Sequence, residues 1–141
     1  MGDEGLGRVK TGDDGKEGYK KLVVWKNAKE LRALVHRLTG EFPKLEVRRI
    51  SQMRDAARSV KQNIQEGYQR RTRGEYLRGL EIAKGSLAEL QGDVEDCLED
   101  GVGDRTQLLT AFDLCKKTDY LFMRLLDALR QRQLVDSGKV R

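Results

Sequence analysis

The chain has 141 residues, 36% of them charged and only 6% aromatic, with a net charge of +5. That length suits one domain with one core. The single proline disfavours a turn-rich β architecture, and no apolar run approaches the roughly 20 residues of a membrane-spanning helix.

Residues 1–18 carry six glycines and no apolar stretch, so they read as a disordered tail rather than a secretory signal. The bundle proper is expected over residues 19–135. A first helix follows over residues 22–39, where Val24, Ala28, Leu31, Val35 and Leu38 alternate steps of four and three and Trp25 and Leu34 widen the stripe. Gly40 and Pro43 end it. Trp25 reads as core rather than as a stacking platform.

A second helix is expected over residues 46–67, with Ile50, Met53, Ala57, Val60, Ile64 and Tyr68 on its apolar face. Arg54, Arg58 and Lys61 recur at i, i+4 and i+7. At 100° per residue they fall within about 60° of one another, roughly a right angle from the apolar stripe. Gly67 suits a left-handed C-terminal position. The turn beyond it carries Arg70, Arg71 and Arg73, and Tyr68 beside it could stack on a base, though core packing is the better reading.

Thr72 and Glu75 have capping-box spacing and open a third helix over residues 73–99. Leu77, Leu80, Ala83, Leu87, Leu90, Val94 and Cys97 form its stripe. Gly79, Gly85 and Gly92 interrupt it, each at a cost of about 0.5–1 kcal/mol relative to alanine. Such a series suggests close approach of another helix at Gly85, Ser86 and Gly92, within or between subunits. Gly101 and Gly103 make the next turn. Asp104 and Gln107 repeat the capping spacing before a fourth helix reaching about residue 134. Leu108, Ala111 or Phe112, Cys115, Phe122, Leu125 or Leu126, and Leu129 supply its buried side. Residues 136–141 read as a frayed end. Four helices joined by short turns predict an all-α, antiparallel, up-down-up-down four-helix bundle.

Charge is segregated along the chain. Residues 44–73 hold nine Lys or Arg against three acids, a net of +6, whereas residues 81–104 hold eight acids against Lys84, a net of −7. A polyanion site should therefore be confined to one part of the surface. Catalytic patterns are missing. The only histidine, His36, has Ala33 three residues before it, so the Glu-x-x-His of a bundle metal pair is absent. There is no phosphate-binding glycine loop and no nucleophile–base arrangement. Cys97 and Cys115 lack metal spacing and read as buried free thiols of a cytoplasmic protein. The expectation is a chain that is not an enzyme and needs no metal or cofactor.

The stretch from Ser51 through Arg54, Asp55, Ala56, Ala57, Arg58, Gln62, Asn63, Ile64 and Gln65 to Glu66 and Gly67 is distinctive. With Tyr76, Leu77, Gly85, Ser86, Glu89 and Leu90, and with Trp25, Lys26, Phe42 and Pro43 earlier, it resembles the bacterial four-helix-bundle family of 23S rRNA intervening-sequence proteins. The family often has proline where this chain has Lys61, so the second helix here should be straighter and carry one more charge. The family is similar to the accessory variability proteins of diversity-generating retroelements, which are basic bundles that form pentameric rings and bind nucleic acid and a reverse transcriptase. The resemblance implies a homo-oligomer, a pentamer, with RNA or DNA as ligand and a reverse transcriptase as partner. The candidate phosphate contacts are Arg54, Arg58, Lys61, Arg70, Arg71 and Arg73, with Arg48 and Arg49 as additions. The alternative is a protein-interaction scaffold whose basic stripe meets the acidic third helix of a neighbour or an acidic partner.

Overall fold

The computed structural model describes residues 17–138. Most of the expected tail, residues 1–16, and residues 139–141 of the expected frayed end lie outside the described residues. Four α-helices carry the fold: α1 (Val23–Thr39), α2 (Val47–Gln69), α3 (Arg73–Asp100) and α4 (Arg105–Asp136). Short 3-10 turns at Gly18–Lys21 and Lys44–Glu46 precede α1 and α2. Each helix packs on its sequence neighbours and α4 closes back onto α1, giving the expected up-down-up-down bundle. Gly18 and Tyr19, at the boundary of the expected tail, are already buried.

The core is the set of apolar stripes read from spacing. Ala28, Leu31, Val35 and Leu38 of α1 meet Met53, Ala57, Val60 and Ile64 of α2, with Leu80, Ala83, Leu87, Leu90 and Val94 of α3 and Phe122, Leu126 and Leu129 of α4 behind them, all buried. Cys97 and Cys115 are buried and free. Of the paired readings on α4, Ala111 is buried and Phe112 only half-buried, whereas Leu125 and Leu126 are both buried. Two buried hydroxyls are satisfied. Thr39 donates to the Val35 carbonyl, and Thr118 donates to the Leu114 carbonyl while accepting from Asn27 of α1. Edge-to-face rings link Tyr19 to Trp25 and to Tyr68, and Tyr68 to Tyr76, so Tyr68 belongs to the core.

Three details differ from the spacing argument. Gly67 does not end α2 in the left-handed region. It lies inside the helix, and its backbone touches that of Gly79 on α3. A Cβ on Gly79 would sit 2.7 Å from the Asn63 carbonyl and 2.8 Å from Gly67 Cα. The left-handed position falls instead on Arg71, with φ of 73°. Within the protomer the close approach therefore occurs at Gly67 and Gly79 rather than at Gly85 and Gly92, where nothing in the protomer lies within 4 Å of an added Cβ. Ser86 does join this seam through a 2.7 Å hydrogen bond with Ser59.

Both helix caps form on one side only. Thr72 Oγ1 accepts from the Glu75 N–H at 3.1 Å and an Asp104 carboxylate oxygen from the Gln107 N–H at 2.9 Å. The reciprocal bond of a capping box fails at Gln107, whose buried Oε1 has no partner among the described residues. Gly101 closes α3 with φ of 69°, a conformation that favours glycine.

Candidate nucleic-acid interface

Antiparallel packing of α1 on α2 sets two equal spacings side by side. On α1, Trp25, Lys29, Arg32 and His36 recur at i, i+4, i+7 and i+11. On α2, Gln65, Lys61, Arg58 and Arg54 recur in the reverse direction. The register is locked at one end by the Trp25 indole N–H, which donates to Gln65 at 2.9 Å. At the other end Arg54 donates to Thr39 Oγ1 at 2.9 Å and to the His36 carbonyl at 3.3 Å.

Between these locks lie four cations. Lys29 Nζ is 5.6 Å and Lys61 Nζ 5.7 Å from the centroid of the Trp25 ring, within cation–π range. Burial lowers the pKa of Lys61 below the ordinary lysine value, and the charges of Arg32, Lys29 and Arg58 lower it further. Lys29, Arg32 and Arg58 are exposed, Lys61 half-buried. Among the described residues no carboxylate pairs with any of the four. Opposed helices commonly place opposite charges across such a seam. Here like charges face one another.

The six residues expected to contact phosphate thus divide. Arg58 and Lys61 belong to the seam. Arg54 lies on the same edge but is hydrogen-bonded to the C-terminal turn of α1, where a cation is favoured by the helix dipole. Arg70 lies on the far side of α2, in a groove with Asn63, Glu66, Glu75, Arg78 and Ile82. Arg71 is exposed in the α2–α3 turn. Arg73 is ion-paired with Asp136 of α4. Of the two additions, Arg48 is exposed, whereas Arg49 bridges Glu46 at 2.8 Å and Asp100 at 3.1 Å and clamps the start of α2 to the end of α3. The basic stripe and the basic turn are not one continuous patch.

Lys29 and Arg32 were missing from the sequence-based set. Their signal was present in the 25-29-32-36 spacing, which mirrors that of residues 54–65 once α1 and α2 are laid antiparallel. Opposite this surface, α2 and α3 line a groove with Gln52, Asp55, Ser59, Ser86, Glu89 and Asp93. Burial, followed by the nearby charges of Asp96 and Glu89, raises the Asp93 pKa. Among the described residues no group of three His, Cys, Asp or Glu is arranged to hold a metal ion, and no helix is long and apolar enough to cross a membrane.

Residues 20–128 match the model of a family described as 23S rRNA-intervening sequence protein. That stretch runs from the first 3-10 turn into the last third of α4. No curated protein matches the chain.

Proposed function

This chain belongs to the 23S rRNA-intervening sequence protein family, and we propose that it acts as a non-enzymatic, homo-oligomeric accessory protein that binds nucleic acid through the α1–α2 seam. One observation carries this reading: Lys29, Arg32, Arg58 and Lys61 face each other across two packed helices, and among the described residues none of them has an acidic partner. Like charges so placed oppose folding, and an anionic ligand removes that opposition. The phosphate backbone is the anion that supplies several charges at once. Assembly into a homo-oligomer would repeat the seam and raise avidity without new contacts. By resemblance to the accessory proteins of diversity-generating retroelements, the protein partner proposed is a reverse transcriptase.

The test is RNA and DNA binding by the wild type and by a variant with Lys29→Gln, Arg32→Gln and Arg58→Gln together, at two salt concentrations. Arg54 is left intact because it caps α1. The variant should lose at least about tenfold in affinity at low salt and show a salt slope shallower by about 2–3. Wild-type binding that ignores the triple change would sink the reading at this site.

A second reading is favoured by the acidic groove of Asp55, Glu89 and Asp93 on the α2–α3 side. Charge complementarity would let that groove of one copy meet the cationic seam of another. The same triple variant would then lose the oligomer in light scattering and leave nucleic-acid binding unmoved.

A further inference from the structure

We infer that the α1–α2 seam takes a helical duplex in preference to a single strand, an inference that rests on the nucleic-acid reading above. Proteins that hold single strands gain much of their affinity by stacking bases on exposed aromatic side chains. This chain has eight aromatic residues, and all lie within the described part. Tyr19, Trp25 and Tyr68, the rings at or near the seam, are buried and packed edge to face. Trp25 is further covered by Lys29 and Lys61 and tied to Gln65. Phe42, Tyr76 and Phe122 are buried as well. Only Phe112 and Tyr120 reach solvent to a useful extent, and both belong to α4, which contributes nothing to the seam. The Gln65 amide beside the cations is also engaged, with Trp25.

What remains is charge arranged in two rows, one on each helix, with the two charges of each row about 4.5 Å apart along the axis at 1.5 Å per residue. A surface that offers ammonium and guanidinium groups but no free ring gains by counterion release alone. Duplex carries one charge per about 1.7 Å of axis, twice the density of one of its strands, and it exposes no bases that would need stacking partners. The seam thus reads charge density, and the duplex supplies more of it.

The full chain would be titrated in competition gel shifts with a two-turn RNA duplex and with each of its separated strands, chosen to be unstructured. The duplex should bind at least about tenfold more tightly at low salt, with the steeper salt slope. A variant with Arg32→Gln and Arg58→Gln, both at exposed positions, should lose most of that difference. Tyr120→Ala should change neither affinity. Strands that bind as tightly as the duplex, or strand binding that falls with Tyr120→Ala, would overturn the preference while leaving nucleic-acid binding intact. Failure of the wild type to bind either form would overturn the preference together with the reading it rests on.

Discussion

Lys61 is a half-buried ammonium with Lys29, Arg32 and Arg58 around it and an indole beside it. Its native pKa lies below the unfolded value, so the folded chain holds this proton less tightly than the unfolded chain does. The resulting cost is fully present at neutral pH, and it is relieved only as pH rises through the lowered native pKa towards the ordinary 10.5. Lys61→Met keeps the apolar stem over Trp25 and removes the charge. The melting temperature at neutral pH should rise by about 1–4 °C, while affinity for RNA falls. A melting temperature that drops would mean that the cation–π contact outweighs the repulsion. Arg54 behaves in the opposite sense, because its guanidinium satisfies the C-terminal turn of α1 through Thr39 and His36. Arg54→Gln should lower stability by about 1 kcal/mol in chemical denaturation, whether or not nucleic acid is present. The two residues share one stripe in the sequence. Only the neighbouring helix distinguishes them.

At the scale of the helix, two glycines of α3 make opposite predictions. Gly79→Ala forces a methyl group against the Asn63 carbonyl and Gly67 Cα, so α2 and α3 must separate, at about 1–3 kcal/mol. Gly85→Ala meets open space in the protomer and should stabilise α3 by about 0.5–1 kcal/mol. A destabilised Gly85→Ala protein would point to another copy packed there. Thermal melts of both variants separate these outcomes. The helices themselves were legible in the sequence because spacing of three and four repeats without a break: Leu77, Leu80, Ala83, Leu87, Leu90, Val94 and Cys97 are all buried as the period requires. Pairwise facts were not legible. A one-dimensional period locates a face but not what stands opposite it, so Gly67 looked like a helix end when its role is contact with Gly79. For the same reason Lys29 and Arg32 escaped notice: each is an ordinary exposed cation until α1 is set against α2. Arg73 reads as a free charge until the end of α4 brings Asp136 beside it.

For the whole molecule, the net charge of +5 says less than its partition. One edge, between α1 and α2, gathers cations that no carboxylate among the described residues pairs with. The α2–α3 side carries Asp55, Glu89 and Asp93. A protein built this way should orient on a polyanion rather than coat it. Four phosphate contacts per seam predict a log–log salt slope of about −3 to −4 for duplex binding, which filter binding between low and physiological salt would measure. A much steeper slope would mean that several copies bind together, and a flat one would exclude the seam as the contact surface. The single tryptophan of the chain adds a consequence of its own. Trp25 lies beneath Lys29 and Lys61, so its fluorescence comes from the seam and from nowhere else in the protein. Any ligand that draws those ammonium groups off the indole must alter its emission. The native chain is thus its own unlabelled reporter of occupancy, and it gives no signal for anions that settle elsewhere.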